Sequence, residues 1–209
     1  TTVRAAPKPR ALPLGAPLTG IDEASIRAEM AAQNSVGILV LQDGKIRAEY
    51  YADGMTPADR WTSFSMAKSL TSTLAGAAVK DGYITSVADP VTKYVPELKG
   101  SGYDGVTVEH VLAMTSGVKW NEDYTDPKSD VVQMFSQPVP DGADPDAYFL
   151  AKLPREAAPG TKWVYKTGET NLIGLIVQRA TGKLLSDYAS EKLADAAGLE
   201  QSILWQTNM

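Results

Sequence analysis

The sequence predicts an α+β chain, with a helix and an antiparallel strand pair near its start and a long helical region after them. Three observations carry that expectation. Residues 36–41 and 45–51 read as strands around the turn Gln42-Asp43-Gly44. Apolar residues recur at helical spacing after Lys68 and again after Asn171. Connectors rich in Asp, Pro and Gly separate these stretches, as turn chemistry requires.

Taken in order, Asp22 can cap a helix over 23–32, because its carboxylate accepts from the free N–H groups of the first turn. The hairpin follows. Leu70, Leu74, Ala77, Ala78 and Val79, with small Ala75 and Gly76, form a stripe suited to burial on one helix. Shorter helices are expected over 108–114 and 130–135, and two more over 171–180 and 184–197. Pro159-Gly160 is a turn, and Trp163 to Tyr165 alternates like a short strand before the apolar run that starts at Leu172. The resulting division is an extended N-terminal segment over 1–20, the first helix and strands over 21–60, and a helical region over 61–209. A two-stranded hairpin is marginal on its own, so further strands are expected to complete the sheet.

Composition removes several function classes. The net charge of -5 is mild and no Lys/Arg cluster stands out, which argues against nucleic-acid binding. No apolar run is long enough to span a bilayer. The absence of cysteine excludes thiol catalysis, disulfides and cysteine-ligated zinc. With a single histidine, His110, paired-histidine metal sites are excluded, and a structural or surface role is expected for it. The run Asn121-Glu122-Asp123-Tyr124-Thr125-Asp126 lacks the spacing and central glycine of a calcium loop and reads as a solvated loop at a cleft rim. No metal and no cofactor are expected.

The chemistry concentrates in Phe64-Ser65-Met66-Ala67-Lys68-Ser69. Residues three apart share a helix face, so the Ser65 hydroxyl and Lys68 amine can meet. A serine needs a neighbour to take its proton before it attacks a carbonyl. A helix suited to burial desolvates its lysine, and desolvation favours the neutral amine that a base requires. Ser65 at the helix N-terminus would also face backbone N–H groups that favour a developing oxyanion. Tyr165 lies at a strand-to-helix junction, where its phenol can point into a cleft and share with Lys68 the proton taken from Ser65.

Together the Ser65-x-x-Lys68 box, the Tyr165 box, the 103–114 segment and the 121–127 run resemble the serine β-lactamase and penicillin-binding superfamily, in its class C-related branch. Within it the nearest similarity is to the 6-aminohexanoate-dimer hydrolases and related carboxylesterases, and it extends from about Val36 to the end of the chain. The resemblance implies a β-lactamase-like fold, in which an antiparallel sheet flanked by helices carries an inserted helical region. It implies Ser65 as acylated nucleophile, Lys68 as base and Tyr165 as proton shuttle. It also implies Tyr148 as a substrate-closing tyrosine, and Thr167 as a substrate-binding hydroxyl where relatives carry asparagine. Lys166-Thr167-Gly168 spells a form of the superfamily's third motif, but it overlaps the tyrosine box and leads into a helix, so we read it as coincidence.

The expected activity is therefore hydrolysis of a small ester or amide through an acyl-enzyme. The alternative is a penicillin-recognising sensor or binding module that acylates without turnover. A complementary C-terminal polypeptide is expected to supply the remaining strands. Thr1 followed by a Pro/Ala-rich stretch reads as a processed N-terminus, which leans towards a periplasmic or secreted location, with a cytoplasmic one as the alternative.

Overall fold

A computed structural model describes residues 1–206, which form two compact units: Pro9–Ser63, and Thr1–Lys8 together with the chain from Phe64 onward. In chain order the elements are β1 (Thr2–Val3), α1 (Glu23–Ala32), β2 (Gly37–Gln42), β3 (Lys45–Tyr51), α2 (Ala67–Lys80), α3 (Val108–Leu112), α4 (Asp130–Ser136), α5 (Pro145–Leu150), α6 (Thr167–Thr181), α7 (Leu185–Ala189), α8 (Asp195–Ala197) and β4 (Ile203–Leu204).

In the smaller unit the Asp22 carboxylate accepts the Ser25 N–H at 2.7 Å and starts α1 where the sequence places it. Strands β2 and β3 pair antiparallel, with Gly37 opposite Tyr51 and Val40 opposite Ala48 before the register shifts to put Leu41 opposite Ile46. The hairpin turns on Asp43 and Gly44, at φ 52° and 70°. Two left-handed residues are what a tight turn between right-twisted strands demands. The extended N-terminal segment is not free. Ile46 donates to the Pro13 carbonyl at 2.9 Å and Gly15 donates to the Ile46 carbonyl at 2.8 Å, which lays this stretch along β3.

The larger unit is built around α6, whose Leu172, Ile173, Ile176 and Val177 are buried. Helices α2, α3, α4, α5 and α7 pack on it. Leu74, Ala75 and Ala78 supply the buried face of α2, as its stripe predicts. Thr2 and Val3 close the unit by pairing antiparallel with Leu204 and Ile203.

Four elements differ from the sequence reading. Helix α6 begins at Thr167, ahead of the expected Asn171, because the polar Thr-Gly-Glu-Thr run that looks like a connector is its first turn. Trp163 to Tyr165 forms no strand: the Val164 N–H donates to the Met114 carbonyl at 3.1 Å, without a ladder among the described residues. The helix expected over 184–197 is broken by a π-helical turn, Ser190–Ala194, and ends at Gly198, which takes the left-handed φ of 68°. Helix α5 was not anticipated, although Pro145 at its first position and the Asp144 carboxylate accepting from Ala147 N–H at 2.9 Å are ordinary start signals.

Candidate active site

Ser65 sits in a 3₁₀ turn, Phe64–Met66, that runs directly into α2. It is exposed, whereas Lys68 in the first turn of α2 is half-buried. The Lys68 Nζ donates to the Ser65 Oγ at 3.0 Å, so the pairing foreseen from the three-residue spacing is made. Phe64, immediately before Ser65, holds a left-handed φ of 45°. A non-glycine residue there stores about 1–2 kcal/mol, and such strain gathers at sites where the surroundings over-determine the backbone.

Tyr165 meets the same lysine. Lys68 Nζ lies 5.0 Å from the centre of the Tyr165 ring, within range of a cation–π attraction. Two neighbouring residues and one from about a hundred positions further along thereby share one place: Ser65 touches Lys68, and Lys68 faces Tyr165.

The next residue cluster explains how α6 starts without a cap of its own. Lys166 occupies the N-cap position and its side chain makes no capping bond. Glu122 fills that role from another segment: its carboxylate accepts the Thr167 N–H at 2.9 Å and also the Thr167 hydroxyl. It further accepts the Trp120 indole N–H and, at 2.9 Å, the Tyr124 phenol. A carboxylate at a helix N-terminus satisfies free N–H groups and complements the helix dipole. Tyr124 reaches the Thr167 hydroxyl at 3.2 Å. Burial first, and then the Glu122 carboxylate, hold the Tyr124 phenol above its ordinary pKa, with the Thr167 hydroxyl opposing. Gly168 lets the Trp120 ring and Leu150 approach, since a Cβ there would lie 2.9 Å from the ring.

Glu122 and Tyr124 were missed by the sequence reading, which assigned their run to a solvated rim. A signal existed, because a helix that begins after lysine rather than Ser, Thr, Asp or Asn needs an acceptor from elsewhere. Thr167 is where the reading placed it, at the head of α6, with its hydroxyl engaged by Glu122 and Tyr124. Tyr148 is half-buried on α5 with Lys152 Nζ 3.5 Å from its ring centre. The Lys166-Thr167-Gly168 string opens α6 rather than lying on a strand, and Lys166 is buried. His110 is structural: its Nδ1 accepts the Thr107 N–H at 3.2 Å within the capping box of α3. Among the described residues no group of three His, Asp or Glu side chains could hold a metal.

A cleft of about 680 Å³ opens beside these groups, lined among others by Phe64, Lys68, Phe135, Asp146, Thr167 and Asn171. That is room for a small organic molecule with apolar and polar walls.

A serine and lysine at the head of a helix buried on one face, a tyrosine against the lysine, and an antiparallel hairpin in the same chain define a β-lactamase-like protein. The protein-family model described as Beta-lactamase matches residues 23–208, and the chain belongs to the beta-lactamase family. It is 41% identical over 165 residues to a 6-aminohexanoate-dimer hydrolase of Paenarthrobacter ureafaciens, covering 74% of this chain and 41% of that enzyme. It is 22% identical over 191 residues to a beta-lactamase of Pseudomonas fluorescens, covering 87% and 49%. Among solved structures, a Bacillus anthracis protein assigned as a 6-aminohexanoate-dimer hydrolase shares the fold, with a TM-score of 0.76 at 18% identity over 97% of this chain and 57% of that one. A class C beta-lactamase solved with cefoxitin superposes with a TM-score of 0.58 at 26% identity, covering 80% of this chain and 46% of that one. The chain thus spans about half the length of the relatives it matches, or less.

Proposed function

We propose that this chain carries the nucleophile half of a serine hydrolase that cleaves a small ester or amide through an acyl-enzyme on Ser65. The observation that carries the reading is the 3.0 Å bond between Lys68 Nζ and Ser65 Oγ, with the Tyr165 ring centre 5.0 Å from the same amine. In the neutral form Lys68, acting with Tyr165, takes the Ser65 proton as Oγ bonds to the substrate carbonyl carbon. Tyr165 passes a proton to the leaving alcohol or amine as its bond to that carbon breaks. Water then attacks the acyl carbon and gives a proton to the same pair, the bond from that carbon to Oγ breaks, and the pair returns the proton to Oγ to restore Ser65. The backbone N–H of Ser65, at the head of α2, is the donor assigned to the developing oxyanion.

The similarity to a 6-aminohexanoate-dimer hydrolase suggests short aminohexanoate amides, and simple carboxylesters, as the substrates to try first. The relatives' greater length suggests that the second oxyanion donor and further strands come from a complementary polypeptide segment.

The test is labelling with a fluorophosphonate, with the adduct mapped by peptide sequencing, followed by steady-state turnover of a chromogenic ester. An adduct on Ser65 that is lost in Ser65→Ala, with continuous turnover in wild type, supports the reading. An adduct on another residue, or equal turnover in Ser65→Ala, removes Ser65 from the mechanism. A stoichiometric burst that then stops would identify a sensor that acylates without turnover.

A further inference from the structure

Directly after Tyr165 the chain turns inward, and the structure places a charged cluster in the core. Lys166, Glu169 and Ser116 are each completely buried. Lys166 Nζ lies 3.4 Å from a Glu169 carboxylate oxygen and 3.4 Å from the Ser116 hydroxyl, and that hydroxyl donates to the same Glu169 oxygen. The other Glu169 oxygen, Oε2, and the buried Tyr103 phenol have no hydrogen-bond partner among the described residues. Burying charges is expensive, and replacing such a pair with apolar side chains is often neutral or stabilising. A buried lysine and glutamate are therefore not explained by stability alone.

We propose that Lys166, Glu169 and Ser116 are positioning residues, which clamp the Tyr165 backbone to the first turn of α6 when Glu169 is ionised and release it when Glu169 is protonated. This rests on the reading of Tyr165 as the proton shuttle. The clamp acts over one peptide bond. Lys166 follows Tyr165, its N–H donates to Met114 Sδ at 3.5 Å, and Glu169 lies one helical turn further along α6. Ser116 anchors the other side, because its hydroxyl also accepts the Val118 N–H at 3.1 Å. The groups facing Glu169 are Lys166 at the head of α6, Ser116 after α3, and the Tyr103 phenol, which in turn feels Asp130 of α4. Burial raises the Glu169 pKa to about 7, against the lowering effect of Ser116 and Lys166, so the clamp titrates in the neutral range.

The experiment measures the rate of Ser65 phosphonylation by a fluorophosphonate between about pH 6 and 8 in the full chain, with folding checked by circular dichroism. Wild type is expected to gain rate through a limb near neutrality. Glu169→Gln, which mimics the protonated state, is expected to lack that limb and to fall about tenfold or more below wild type at the upper end. Glu169→Asp is expected to restore the limb in part. Should Glu169→Gln fail to fold, Ser116→Ala decides: loss of a hydrogen bond to the carboxylate raises the Glu169 pKa, so the limb moves to higher pH. Identical profiles in wild type and Glu169→Gln, or an unmoved midpoint in Ser116→Ala, overturn the clamp. Absence of any Ser65 adduct in wild type sinks the hydrolase reading itself, and the clamp with it.

Discussion

At the scale of single residues, the candidate site is joined through Lys68, which meets both Ser65 and Tyr165. Tyr165 presents its ring face to Lys68 Nζ at 5.0 Å, so removing only the hydroxyl isolates the role proposed for the phenol. Tyr165→Phe keeps the ring and its cation–π contact, and is expected to slow acylation by about 10²-fold or more, as loss of positioned acid-base catalysis does. The rate of ester turnover measures it, and a wild-type rate would exclude Tyr165. Glu122 does a different job, since all of its bonds run to protein groups at the head of α6. Glu122→Gln removes the charge that accepts from Thr167, Trp120 and Tyr124, and is expected to cost about 1.5–3 kcal/mol in stability. Urea denaturation measures the loss, and an unchanged midpoint would mean that the carboxylate is not the cap of α6.

At the scale of elements, the first turn of α6 is fitted against Trp120 with no space to spare. Gly168→Ala sets two effects against each other. Alanine gains about 1 kcal/mol of helix propensity over glycine. Its Cβ would meet the Trp120 ring at 2.9 Å and Leu150 at 3.1 Å, and overpacking of this kind costs about 1–3 kcal/mol. The steric term is expected to win, lowering the melting temperature and slowing Ser65 labelling together, because Tyr165 is joined to the same turn. A raised melting temperature would show that Trp120 shifts without cost.

At the scale of the whole molecule, the titrating groups set a pH optimum for stability. Glu169 takes up its proton at about 7 in the folded chain, against an ordinary value of 4.5. Its folded pKa lies above its unfolded one, so its contribution is complete below the unfolded value and is lost as pH rises through about 7. Asp81, held down by its bond to Lys192 and then Tyr188, and Asp89, held down by Tyr94 and then Lys93, act in the opposite sense. Their contributions are present above the ordinary 3.8 and are lost as pH falls through their depressed values. Urea midpoints at about pH 3, 5 and 8 are therefore expected to be highest at the middle value. A maximum at the top of the range would show that Glu169 is ionised in the folded chain well below neutrality. If the clamp operates, the pH that best supports Ser65 chemistry lies above the pH that best supports the fold.

What the sequence by itself determined is local. The Asp22 cap, the Asp43-Gly44 turn, the buried stripe of α2 and the Ser65–Lys68 pair all follow from patterns spanning a few residues, because helix period, turn geometry and first-turn capping act over that distance. The motif set was also enough to identify the family. Only the tertiary structure decided the pairings across the chain: Thr167 with Glu122, 45 positions apart, Lys166 with Ser116, 50 apart, and Thr2–Val3 with Ile203–Leu204. It made one residue of the exposed acidic run, Glu122, the cap of α6, and it buried the lysine of the chance motif against Ser116 and Glu169. The physical reason is that a polar side chain's partner is chosen by which apolar faces bury together, and that choice is made by packing over the whole unit.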